Sequence, residues 1–179
     1  PSWTYEAAGT YTVSLTVSDG TTTDTETKTG YIHVTDCSPI SSFPFTEDFG
    51  NGVLPDCWDI TDNEGSDQTW QIVDGAYTFG SSETLQSTTG DNGYAILDSD
   101  GYGSGTTQNS DLVTPVFDFS GAASVNLQFE HYYEDYSGET AILSYSTDGG
   151  SSWTTLLDMA SVTNSNATVY NEDVSAIVA

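Results

Sequence analysis

Asp62, Asn63, Glu64 and Asp67 fall within six consecutive positions, in the run Asp62-Asn63-Glu64-Gly65-Ser66-Asp67-Gln68-Thr69-Trp70. Carboxylates and amides set among turn formers supply hard oxygen atoms. Calcium takes about six to eight such ligands, often from a flexible loop. The spacing is not that of an EF-hand. On an acidic protein the same residues also read as a solvated loop. A second set, Asp98-Ser99-Asp100-Gly101, favours the plainer reading, because Asp and Ser before Gly make turns through side-chain-to-backbone bonds. Gln128, Glu130 and Tyr132 share one face of an alternating run, with Glu134 and Tyr136 beyond it. Amides and carboxylates on such a face bond sugar hydroxyls while Tyr stacks on sugar C–H groups. The other reading is a solvated sheet face with cross-strand pairs. Tyr102 and Tyr136, in Gly-rich loops, offer a different aromatic surface.

Catalysis finds little support. The two histidines, His33 and His131, do not share a metal-site spacing. His131 lies on the apolar side of its run and reads as a satisfied core residue. A Gly-x-Ser-x-Gly elbow is absent. Two carboxylates can hydrolyse a glycoside, but Glu130, Glu134, Asp135 and Glu139 do not reproduce the Glu-x-Asp-x-Glu strand of jelly-roll laminarinases. The segment reads as noncatalytic.

The charge balance narrows the partners. The chain of 179 residues holds 27 acidic residues and one base, Lys28, for a net charge of −26. Phosphate recognition needs Lys and Arg, which argues against nucleic acid. The same deficit argues against docking on an anionic membrane. Cations, high ionic strength or a basic partner suit this surface. A hydrophobic fraction of 36% with 12% aromatics argues for a packed core rather than disorder. No run approaches the ~18 apolar residues of a membrane helix. The chain starts without Met and inside a motif, so it reads as a piece of a larger protein, and a missing export signal carries no information.

Cys37 and Cys57 are the only cysteines. Two thiols without a C-x-x-C pair make a poor zinc site. In an exported protein a disulfide is the natural expectation, with two buried free thiols as the other possibility. Closing a loop of about 20 residues would stabilise by roughly 3 kcal/mol in the chain-entropy model.

The elements that must position these residues are strands throughout. Tyr11, Val13, Leu15 and Val17 alternate with Thr12, Ser14 and Thr16, which predicts a half-buried strand. Asp19-Gly20 predicts a hairpin turn, and Thr25 to Thr29 lead into a second strand over Tyr31-Ile32-His33-Val34. Asp36 to Ser42 reads as a linker. Further strands are predicted at Thr69 to Val73, Gly93 to Leu97, Leu112 to Phe117 and Val125 to Tyr133, with a hairpin pair at Ala141 to Tyr145 and Trp153 to Leu157. The fold class is therefore all-β.

Two resemblances sharpen this. Tyr5-Glu6-Ala7-Ala8-Gly9-Thr10-Tyr11-Thr12-Val13-Ser14-Leu15-Thr16-Val17-Ser18-Asp19 closely resembles the second half of a PKD domain, an immunoglobulin-like sandwich. Residues 1–36 are thus expected to be the C-terminal part of such a domain. Phe45-Thr46-Glu47-Asp48-Phe49-Gly50, Cys57-Trp58, the Asp-rich loop ending in Trp70, Gly93-Tyr94-Ala95-Ile96-Leu97, Ser110-Asp111-Leu112-Val113-Thr114-Pro115 and Leu127-Gln128-Phe129-Glu130-His131-Tyr132-Tyr133 follow in the order seen in MAM-like, "cleaved adhesin" jelly-roll domains of bacterial surface proteins. Residues 37–179 are expected to be such a β-sandwich of concanavalin/MAM type. It stops before the family's closing Asp-containing motif and so reads as truncated. Ser146-Thr147-Asp148-Gly149-Gly150-Ser151-Ser152-Trp153 resembles the Asp-box hairpin of sialidases, a folding motif in which Trp153 packs beneath. Asn166-Ala167-Thr168 fits a glycosylation acceptor, by chance in a bacterial protein.

In MAM-like domains an acidic residue of the opening strand, the Asp-rich loop and a later acidic residue often gather around calcium. The resemblance implies a Ca2+ site of Glu47, Asp62, Asp67 and Asp111, with Asp48 and Asn63 next. It also implies a noncatalytic adhesion or binding module, extracellular or at the cell surface, in a secreted protein of Bacteroidota type exported by the type IX route. Expected partners are an extracellular protein or glycan and neighbouring domains of the same chain, with no nucleic acid and no membrane insertion. The other expectation is a carbohydrate-binding accessory module of a secreted peptidase or glycosidase, using Gln128, Glu130 and Tyr132.

Overall fold

The structure, a computed structural model, describes residues 2–75, 84–135, 138–162 and 165–178. The fold is all-β with antiparallel sheets, as a β-sandwich class requires. The chain divides into two compact units, Pro1–Ser38 and Pro39–Ala179.

The first unit is one hairpin. β1 (Gly9–Ser18) pairs antiparallel with β2 (Thr23–Val34). Asp19 shapes the turn: its Oδ1 accepts from the amides of Thr21 and Thr22 at 2.8 and 2.7 Å, and Gly20 takes φ 89. That positive φ costs glycine nothing. On one face the hydroxyls pair across the strands, Ser14 with Thr27 at 2.8 Å and Thr16 with Thr25 at 2.9 Å. The register shifts between Tyr11, opposite Ile32, and Val13, opposite Lys28. Gly30, at φ 62, lies within the excess residues of β2. The expectation of a half-buried face fails here. Val13, Leu15 and Val17 are 36%, 66% and 55% exposed, because a two-stranded ribbon has no layer of its own to cover an apolar face.

Among its described residues the second unit holds four antiparallel ribbons. β3 (Asp59–Asp62) pairs with β6 (Ser110–Val113), and β4 (Gln71–Asp74) with β5 (Gly93–Ile96). β7 (Asn126–His131) pairs with β10 (Thr168–Asp173), and β8 (Ile142–Tyr145) with β9 (Thr154–Asp158). Among the described residues there are also two α-helical turns, α1 (Ser99–Tyr102) and α2 (Ser175–Val178), and a 3-10 turn at Met159–Ser161. β6 ends before Thr114-Pro115, since Pro has no N–H for a ladder. β3 and β10 were not expected. The predicted opening strand at Phe45 to Gly50 does not form. Glu47 and Asp48 instead accept from the backbone two residues on, and Phe49 turns to φ 54.

Among the described residues Tyr94 (5% exposed) and Met159 (8%) are the buried hydrophobics. The rest of the apolar packing lies in smaller half-buried clusters. Phe43 stacks on Phe119 at 5.0 Å and Phe45 meets Phe117 edge-on at 5.3 Å. Phe49 packs against Trp58, and Phe129 against Tyr170. Cys37 and Cys57 form the expected disulfide. Among the described residues no helix is long and apolar enough to cross a membrane.

Candidate functional site

The β3–β6 ladder sets Asp62 opposite Ser110 and Thr61 opposite Asp111, so the acidic loop leaves β3 beside the start of β6. Asp62 organises that loop. Its Oδ1 accepts from the amides of Glu64 and Gly65 at 3.0 and 2.9 Å, and its Oδ2 from the amide of Asp67 at 2.8 Å. These bonds, the Asp67 amide foremost, hold its carboxyl below the usual carboxylate range. Gly65 and Asp67 turn the chain at φ 69 and 60.

Asn63 ties the loop across. Its amide nitrogen donates to the Asn109 carbonyl at 2.9 Å, one residue beyond the strand. Its Nδ2 donates to Asn109 Oδ1 at 3.2 Å and to Asp111 Oδ2 at 3.0 Å. Thr107 donates its hydroxyl to Glu64 at 2.7 Å, and Gln108 donates to Gln68 at 2.7 Å. Trp70 closes the loop on Ser110, its amide on the hydroxyl at 3.3 Å and its indole N–H on the carbonyl at 3.1 Å.

The remaining expected ligands are engaged elsewhere. Glu47 accepts from the Phe49 amide at 2.7 Å. Asp48 accepts from the Gly50 amide at 3.0 Å and from Asn92 Nδ2 at 3.5 Å. The structure therefore joins Asn63 to Asp111 beside the Asp62–Asp67 turn, while Glu47 and Asp48 bond within their own segment and to Asn92. Among the described residues no three His, Cys, Asp or Glu side chains converge as a metal-holding group. Asp62 accepts from three amide N–H groups, and Asn63 donates to Asp111.

The chain matches no protein-family model, no curated protein and no solved structure.

The second candidate surface is divided as well. Gln128 and Glu130 lie on β7 opposite Asn171 and Val169 of β10. Glu130 Oε2 accepts from the Thr88 amide at 2.6 Å and its hydroxyl at 3.1 Å. Tyr132 lies past the strand end and donates to Glu134 at 3.3 Å. Tyr102 accepts from Gln71 Nε2 at 3.1 Å and donates to the Thr69 carbonyl at 2.7 Å, beside the acidic loop. Tyr136 lies outside the described residues.

The turn motifs behave as folding devices. Asp98 caps α1 by accepting from the Gly101 amide at 3.0 Å. Asp148 accepts from the Ser152 amide at 2.9 Å and from the hydroxyls of Ser152 and Ser146 at 2.6 and 2.8 Å. These bonds, the Ser152 hydroxyl foremost, bring its carboxyl down to about 2. Trp153 lies 3.7 Å from the position of a Gly150 Cβ, yet it is 51% exposed and not packed beneath. Asn166 is also committed: its Nδ2 donates to the Thr84 carbonyl and its Oδ1 accepts from the Gln86 amide, both at 2.7 Å. His131 packs on Phe129 at 5.6 Å, but its buried Nδ1 has no hydrogen-bond partner among the described residues. Burial depresses its basicity. Thr88, Asn92, Thr107 and Asn109 carry much of this wiring. As uncharged polar residues outside any motif, they gave no signal in sequence.

Proposed function

We propose that this chain is a noncatalytic extracellular adhesion or binding module of a larger secreted or cell-surface bacterial protein, with a PKD-like unit preceding a MAM-like jelly-roll unit, and that calcium stabilises it. The observation that carries the proposal is the Asn63–Asp111 bond, 3.0 Å across two segments 48 residues apart. It ties the acidic loop to the start of β6. An all-β fold, one disulfide and a net charge of −26 support an exported module whose ligand is a cation or a basic surface.

Asp62, Asn63, Asp67 and Asp111 are the residues that would hold the ion. Their oxygen atoms suit calcium rather than a soft metal. Thermal unfolding with calcium and with excess chelator tests this, because a ligand of the native state raises the midpoint by mass action. The expected result is a calcium-dependent rise that magnesium does not reproduce and that Asp111→Asn abolishes. The comparison is the calcium-dependent shift within each variant, so a variant's own loss of stability does not confuse it. No shift at millimolar calcium sinks the calcium site and removes the main support for the adhesin-like reading.

A further inference from the structure

Asn-Gly occurs twice in the chain, at Asn51-Gly52 and at Asn92-Gly93. In such a pair the backbone amide nitrogen of the glycine can reach Cγ of the asparagine side chain, because no Cβ on the glycine hinders the approach. The fold treats the two pairs differently. Asn92 and Gly93 lead into β5. The Asn92 amide donates to the Thr89 carbonyl at 2.9 Å, and Asn92 Nδ2 donates to Asp48 at 3.5 Å. The Gly93 amide donates to the same Thr89 carbonyl at 3.3 Å. Gly93 is buried, pairs with Asp74 across the ladder, and has the main-chain carbonyls of Phe49 and Val73 where a Cβ would stand. Swinging its amide onto the Asn92 side chain means opening the start of β5. Asn51 stands in contrast. It is exposed, belongs to no strand, and makes no side-chain hydrogen bond among the described residues. Its neighbour Gly52 takes φ 62, held by one turn bond from its amide to the Phe49 carbonyl at 3.2 Å.

We propose that Asn51 is a site of spontaneous deamidation and that the fold protects Asn92 from the same reaction. The Gly52 amide nitrogen bonds to Asn51 Cγ and gives up its proton. The Cγ–Nδ2 bond breaks, and that nitrogen leaves as ammonia, closing a cyclic imide. Water, the co-reactant, then opens the imide at either of its carbonyls. Opening at Cγ gives aspartate. Opening at the backbone carbonyl gives isoaspartate, in which the main chain runs through the former side chain. Each product adds a carboxylate to a chain of net charge −26, in a turn whose Gly52 lies against Asp74. Isoaspartate also lengthens the backbone of the turn that presents Phe49 to Trp58, whose rings stand 5.2 Å apart. The chain thus records its age as added charge and a loosened Phe49–Trp58 contact.

Peptide mass mapping of the full chain, incubated folded at neutral and at mildly alkaline pH, tests the proposal. The expected result is that the peptide holding Asn51 gains the mass difference between amide and acid. It also splits into two chromatographic forms, aspartate and isoaspartate. Conversion quickens with pH, because the attacking nitrogen must lose its proton. Asn92 lags by roughly tenfold or more, since its reaction waits on local opening. In urea the lag disappears. On ion exchange the parent accumulates a more acidic form, which an Asn51→Gln chain incubated alike does not. An Asn51 that stays intact while the chain is folded overturns the proposal. So does an Asn92 that converts as fast as Asn51 in the folded chain, or a lag that persists in urea, which would belong to the neighbouring residues and not to the fold.

Discussion

The Glu130 carboxylate on β7 accepts two hydrogen bonds from Thr88, the amide at 2.6 Å and the hydroxyl at 3.1 Å. Forty-two residues separate the pair. Asn166, just before β10, grips the same segment through Thr84 and Gln86. The segment leading into β5 is thus held against the β7–β10 ribbon by side chains rather than by a ladder.

Glu130→Ala removes the acceptor for a backbone amide that then has to find water. Hydrogen bonds to charged groups contribute about 1.5–3 kcal/mol, and because these are exposed a loss at the low end of that range is expected from the urea midpoint. Glu130→Gln, which keeps one acceptor oxygen, falls between the two. A Glu130→Ala protein as stable as the parent would mean that the clasp is incidental.

Gly93 begins β5 where two backbone carbonyls close in. A Cβ there would press into Phe49 O and stand 2.7 Å from Val73 O. Both are main-chain atoms and cannot swing away. Gly93→Ala is expected to cost about 1–3 kcal/mol as overpacking. Gly121, which has nothing within 4 Å of a Cβ position, serves as the control, and Gly121→Ala should be near neutral. Equal midpoints for the two variants would show that the approach at Gly93 relaxes freely.

Acid unfolding should separate the Asp148 turn from the bulk charge. The Asp148 carboxyl sits at about 2 against 3.8 for a free one. A value lowered by folding makes the anion stabilising above 3.8, and that stabilisation is lost as pH falls toward 2. Asp148→Asn cannot titrate, so its denaturant midpoint should fall less steeply across this window than the parent's. Relief of the repulsion among the other carboxylates acts in the opposite direction and is common to both proteins, so the difference isolates Asp148. Parallel acid limbs would exclude a role for the anion in holding the hairpin.

Periodicity and turn chemistry were enough for much of the β architecture. The alternation of Val125, Leu127 and Phe129 with polar residues marked β7, and Asp19-Gly20 and Asp148-Gly149 marked hairpin turns. These are local signals, written in neighbouring side chains. The disulfide was the expectation for two cysteines in an exported protein, and the fold pairs them. What sequence could not decide was which carboxylates are spent on their own backbone. Glu47, Asp48 and Asp62 all carry carboxylates, yet each accepts amide bonds from its own turn. Nor could it decide that Val13, Leu15 and Val17 stay exposed, because burial depends on a covering layer and not on the strand's own pattern. Asn63 meets Asp111 where β3 pairs with β6, and Glu130 meets Thr88 through side chains alone, each pair more than forty residues apart. Only the folded chain brings such pairs together, because the energy that selects them comes from contacts the linear order does not contain.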